Sequence, residues 1–191
     1  MVTSQPGPGR EPAPDDLVFG VNVSRAAGGG AVVTAARAAE QAAFDVVTAA
    51  DHLGVAAPFS VLAAAAAVTD RVRLRTYVLD AGFWNPALLA REAGTVDMLS
   101  GGRLELGLGA GHMRHEHVDA GLPFRPLAER VAELEDKLVE VRRRLADPAH
   151  LPAPVQQPIP LVVGCWGTGT LGVAARHADV VALGGGDPDP R

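Results

Sequence analysis

Short apolar runs alternate with runs of helical period along most of the chain. Leu17 to Val23 is a brief apolar run with Gly20 and Asn22 near its end, and it reads as a first strand. Val32 to Ala43 is Ala-rich with apolar residues at helical spacing, so it reads as a helix. Asp45 to Ala50, around Val46 and Val47, reads as a second strand. Pro58 opens a second helix, at a position where the missing N–H costs nothing, and that helix runs to Thr69. Val72 to Leu79 reads as a third strand. Its alternation puts Val72, Leu74, Thr76 and Val78 on one face and Arg73, Arg75, Tyr77 and Leu79 on the other. Asn85-Pro86 is a cap followed by proline, and the helix it starts runs to Leu99, where Ser100-Gly101-Gly102 stops it.

Arg103 to Leu108 reads as a fourth strand. Leu127, Val131, Leu134, Leu138, Val141 and Leu145 then recur in steps of four and three, the clearest amphipathic helix in the chain. Core packing explains that stripe, and Arg142-Arg143-Arg144 reads as a solvated helix end that complements the dipole. A Pro-rich linker leads to a fifth strand at Leu161 to Val163, a short helix at Thr170 to His177 and a sixth strand at Asp179 to Leu183. Such alternation predicts a parallel sheet covered by helices. A closed eight-stranded barrel takes about 250 residues, so the pattern leaves an open doubly wound sheet or an incomplete barrel. No repeat of fixed period is present. Residues 1–16, with Pro6, Pro8, Pro12 and Pro14, read as a disordered tail. Residues 17–184 read as the one folded domain and 185–191 as a flexible end.

Composition narrows the functional classes. The 191 residues carry a formal charge of −5, which argues against a basic, sequence-independent nucleic-acid binder. Aromatics are 4%, so the core must be aliphatic. The single cysteine, Cys165, excludes an internal disulfide framework and a multi-thiolate zinc site, and it reads as a small packing residue. There is no uncharged apolar run of about 18 residues to span a membrane and no signal-peptide core, so the expected location is the cytoplasm.

In either α/β architecture ligands bind at the carboxyl ends of the strands. The residues that follow the strands are informative: Asp51-His52 after the second, Asp80 to Trp84 after the third, Gly109 to His117 after the fourth and Gly164 to Thr170 after the fifth. Imidazole titrates near neutrality, so His52 can orient a ligand or exchange a proton with it, or simply close a strand end. Gly164 to Thr170 enters a helix N-terminus, where free N–H groups and the dipole favour an anion and Thr168 and Thr170 add hydroxyls. The spacing is not that of a nucleotide-triphosphate loop. Gly107 to Gly111 matches only part of a dinucleotide fingerprint. His112, His115 and His117 with Glu116 miss the helical zinc spacing, so a polar ligand loop is favoured over a metal site.

Several segments together resemble one family. They are Phe44-Asp45-Val46-Val47 with Asp51-His52, then Asn85 to Glu92, then Thr95 to Gly111, and further on Pro154-Val155-Gln156, Pro160 to Gly164 and Ala174 to Asp179. In order, over Val18 to Leu183, these resemble the flavin-dependent luciferase-like monooxygenases, above all the actinobacterial branch that uses the deazaflavin coenzyme F-420. The resemblance implies a (β/α)₈ TIM barrel, of which about six βα units are present here, and a non-proline cis peptide at Tyr77-Val78 behind the cofactor ring. It implies that Gly109, Gly111, His112 and His115 contact the cofactor and that Gly164, Gly167, Thr168, Gly169 and Thr170 hold its phosphate. His52 corresponds to a position beside the reactive ring carbon, which makes His52 and His112 the candidate catalytic residues. The implied activity is hydride transfer between reduced F-420 and a small organic substrate, with FMN as the alternative cofactor. The chain departs from the family pattern in lacking recognisable seventh and eighth strands, in its short Pro-rich linker, in Arg75 where glycine is frequent, and in His112 where the sugar-phosphate dehydrogenases carry an acid. An open barrel would leave two strand edges and an apolar interior exposed. A homodimer, or a partner chain completing the barrel, is therefore expected. The alternative is a non-catalytic remnant or partner subunit.

Overall fold

A computed structural model describes residues 17–25 and 29–184; the two terminal tails expected from the sequence lie outside the described residues. The strands are β1 (Gly20–Asn22), β2 (Val46–Ala49), β3 (Arg73–Thr76), β4 (Leu79–Asp80), β5 (Leu104–Gly109), β6 (Leu161–Cys165) and β7 (Val180–Leu183). All pair in parallel, in the order β1-β2-β3-β5-β6-β7, with β4 pairing β5. The helices are α1 (Gly29–Gln41), α2 (Pro58–Ala66), α3 (Pro86–Ser100), α4 (Arg114–Asp119), α5 (Leu127–Leu145) and α6 (Thr168–His177). The elements follow the sequence pattern closely, with ends that move by a few residues. The exceptions are the first strand, which shrinks to three residues, and α4, which no apolar period announced.

Helix boundaries have local causes. The Asn85 side chain accepts from the N–H groups of Ala87 (2.9 Å) and Leu88 (3.4 Å), and Pro86 fills the first turn of α3. Gly101, at φ 67°, ends that helix in the left-handed conformation. The stripe on α5 buries Leu134, Leu138, Val141 and Leu145, as its spacing predicts. Asp97, fully buried on α3, ties down the linker before β6: its carboxylate accepts from Val155 N (2.7 Å), Gln156 N (3.0 Å) and Gln156 Nε2 (2.7 Å).

Strand register separates two faces. Val47, Leu74, Leu104, Leu106, Leu108, Leu161 and Val163 point to the helices and form the main core. The opposite, concave face carries Thr48, Arg73, Arg75, Glu105, Gly107 and Gly164. Its lower layer is therefore mixed: Val46 and Val162 give it the apolar character expected of an open barrel, and an ionic cluster that was not expected sits beside them. Glu105 is buried and takes the Nε–H of both Arg73 and Arg75.

The expected alternation along Val72 to Leu79 fails after Thr76. Arg75 pairs with Glu105 and Leu79 with Leu108, so residues 76–78 lie opposite only residues 106–107. This is a bulge, and the extra residue reverses which side chains face inward. Leu79 joins the helix-side core at 0% exposure, and Val78 turns to the concave face instead. The Thr76 hydroxyl stitches the gap, donating to Gly107 O (2.9 Å) and accepting from Gly107 N (2.7 Å). The Tyr77–Val78 peptide is cis, at the position the family resemblance implies.

Candidate functional site

The bulge places Val78 at the head of the concave face, where three glycines make room for it. A Cβ at Gly109 or Gly164 would come within 2.9 Å of a Val78 methyl group, and one at Gly107 within 3.2 Å of the other. Above Val78, at the carboxyl ends of the strands, opens a cleft of about 500 Å³. Small-molecule and cofactor sites span about 300–1,000 Å³. Of the residues singled out from the sequence, His52, Tyr77, Val78, Gly109, Gly111, His112, Gly164 and Thr170 line this cleft. His115 does not; it is on the exposed side of α4. Gly167, Thr168 and Gly169 do not line it either, but they form the exposed entry to α6 directly before Thr170. A second cavity of about 250 Å³ lies where the C-terminal end of α5 meets the start of β6, between Leu145, Ile159 and Leu161, and contains none of these residues.

The His-rich run divides between two partners. Glu116 is buried, and both its carboxylate oxygens lie 3.1 Å from His52 Nδ1. His117 is 2% exposed and pairs through Nε2 with Asp80 Oδ2 at 2.9 Å, while its Nδ1 lies 3.2 Å from Pro123 O. Asp80 also accepts from Gly82 N at 2.8 Å. Adjacent residues of one short helix thus fasten the loops after β2 and after β4. Gly111 has to be glycine here, because a Cβ would fall 2.2 Å from Asp80 Oδ2 and its φ is +74°.

His52, His112 and Trp166 form an edge-to-face series with centroid separations of 5.8 and 5.1 Å. Desolvation within the cleft, and then the neighbouring His52, lower the pKa of His112, which favours its neutral form. Burial raises the pKa of Asp51, against the lowering effect of the Trp84 indole N–H, which donates to Asp51 Oδ2 at 2.8 Å. On the rim, Phe124 lies between the guanidinium groups of Arg114 (4.8 Å) and Arg130 (4.1 Å). Arg130 also donates to the carbonyls of Ala110 and Gly111, holding the loop after β5. The Thr170 hydroxyl is taken up by its own turn: it donates to Gly167 O (3.2 Å) and accepts from Trp166 N (3.0 Å). Any anion there would meet backbone N–H groups of the first turn of α6, which have no intrahelical acceptor. Cys165 is buried, as a packing residue should be, and burial raises its pKa.

Asp51, Asp80, Glu116, Phe124, Arg130 and Trp166 were not among the site residues read from the sequence. Asp51 and Trp166 each adjoin residues that were, and Asp80 directly follows the third strand. Glu116 stood out only as a neighbour of His112, His115 and His117, and its pairing with His52, 64 residues away, left no trace in the sequence.

A parallel sheet curled into part of a β/α barrel, with its ligand cleft at the carboxyl ends of the strands, defines the class. Comparison with known proteins gives the family: residues 17–191 match the luciferase-like monooxygenase family, and the chain belongs to it. An uncharacterized protein of Mycobacterium tuberculosis is 35% identical over 146 residues, covering 69% of this chain and 49% of that protein. An F420-dependent glucose-6-phosphate dehydrogenase of Intrasporangium calvum is 39% identical over 116 residues, covering 55% of this chain and 35% of the enzyme. The crystal structure of monooxygenase RslO1 from Streptomyces bottropensis superposes with a TM-score of 0.74 at 26% identity, over 84% of this chain and 57% of that one. The chain therefore spans about half the length of these relatives or less, and the sheet is a truncated version of their barrel.

Proposed function

We propose that the cleft holds a deazaflavin or flavin ring against Val78, and that the protein is a cytoplasmic oxidoreductase transferring hydride between reduced F-420 and a small organic substrate. The observation that carries this reading is the convergence of His52, His112, Val78 and the glycines of β5 and β6 on one cleft. The residues suit such a group. Val78 offers an apolar floor, and the glycines beneath it on β5 and β6 let it sit low enough to leave the cleft open above. His52 and His112 offer imidazole nitrogens to its polar edge or to a substrate. Backbone N–H groups at Gly167 to Thr170 would hold a phosphate. A bound deazaflavin supplies two-electron hydride chemistry, and FMN in its place would add oxygen chemistry. The chain's own part is to bind, to orient, and to exclude water with Trp166 and Phe124. An F-420 relative of 39% identity supports F-420 over FMN.

A second reading, a non-catalytic partner subunit, draws on the sheet edges. Among the described residues β1 and β7 each lack one neighbour, and Phe19 (60% exposed) and Leu183 (69%) stand uncovered beside those edges. A second copy or another chain would cover them.

One titration separates the two readings. The purified chain is titrated with F-420 and with FMN, binding is followed by fluorescence, and mass by light scattering. Saturable one-to-one binding is expected, and Gly109→Val, whose side chain enters the floor at Val78, should weaken it by about tenfold or more. A folded chain that binds neither compound would remove the enzymatic reading and leave the partner-subunit one.

A further inference from the structure

We infer that Glu116 is a positioning residue that fixes which nitrogen of His52 carries the proton, and thereby which kind of ligand atom the cleft accepts. Glu116 is buried on α4, and its carboxylate has no side-chain partner among the described residues other than His52. The side-chain exposures are 9% for Glu116 and 33% for His52, so the pair joins a desolvated acid to a ring that still reaches the cleft. An ionised carboxylate only accepts hydrogen bonds. Its two oxygens at 3.1 Å therefore require a proton on His52 Nδ1. The neutral ring is then left with its lone pair on Nε2, which has no partner among the described residues, in a side chain that lines the cleft.

The other groups around the ring do not compete for this role. His112 meets it edge-on at 5.8 Å. Asp51 is engaged with the Trp84 indole, and Asp80 with His117 and Gly82 N. His52 thus presents an acceptor, and the ligand atom that meets it must be a donor, an O–H or N–H rather than a bare carbonyl oxygen. The functional consequence rests on the proposed cofactor cleft; the position of the proton is a property of the free chain and does not.

The test is the ring ¹⁵N spectrum of the full, ligand-free chain at mildly alkaline pH, with His52 assigned by comparison with His52→Gln. The wild type is expected to show a protonated Nδ1 and a bare Nε2. Glu116→Gln keeps a carbonyl acceptor and should preserve that pattern. Glu116→Ala removes it and should shift His52 towards the Nε2–H form that imidazole side chains favour in water. FMN titrations of the same variants should show weaker binding for Glu116→Ala, by about tenfold, with recovery in Glu116→Gln. A wild-type His52 protonated on Nε2, or a pattern that Glu116→Ala leaves unchanged, would overturn the assignment. If the wild type binds neither FMN nor F-420, the cofactor reading falls, while the ring spectrum still decides the role of Glu116.

Discussion

Gly107→Ala is expected to destabilise the fold by about 3 kcal/mol or more, at the upper end of overpacking costs. The reason is backbone geometry at the bulge. An added Cβ would lie 2.0 Å from Thr76 O and 3.2 Å from a Val78 methyl group, so no side-chain rotation relieves the clash. β3 and β5 would have to part where the Thr76 hydroxyl joins them through Gly107 N and O. Urea unfolding followed by circular dichroism measures the loss. Gly54→Ala is the control: nothing lies within 4 Å of its added Cβ, and its midpoint should stay within about 0.5 kcal/mol of wild type. Equal, small effects of the two substitutions would mean that the strands do not approach as described.

Asp80→Ala should cost nearly as much, about 3 kcal/mol, and should also damage the cleft. Two donors, the part-buried Gly82 N–H and the buried His117 Nε2–H, lose their acceptor, at about 1–3 kcal/mol each. His117 is 2% exposed and packed beside Phe83 and Phe124, so water cannot readily replace the lost partner. The damage reaches the site because Asp80 lines the cleft and abuts Gly111. Asp80→Asn keeps one oxygen acceptor and should recover part of the stability. A loss below about 1 kcal/mol for Asp80→Ala, read from the same urea curves, would contradict the pairing with His117.

The helices and the order of strands were legible because each leaves a local trace. Asn85-Pro86 marks a helix start, Gly101 a stop, and the α5 stripe an inward face. The family was legible too, through Thr95 to Gly111 and its neighbours, and with it the placement of His52, Val78, Gly109 and Gly164 around one cleft. The bulge was not. Val72 to Leu79 reads as an unbroken alternation, and only its register against β5 reveals the extra residue that turns Val78 inward. The ionic cluster on the concave face was hidden for a related reason. Alternation shows that Arg73 and Arg75 share a face, but not that the face is the interior, nor that Glu105 meets both. In the His-rich run, spacing argued against a metal cluster, yet it carried no information on the separate partners of Glu116 and His117. α4 is six residues long, too short to show a period.

The most direct test of the cofactor cleft is amide hydrogen exchange of the full chain, with and without saturating F-420 or FMN. The account predicts slowed exchange at Gly109 to Met113 and at Gly164 to Leu171, the loops after β5 and β6, with little change around Gln156 to Ile159 at the second cavity. Protection confined to that second cavity, or an exchange pattern that neither compound alters, would contradict it.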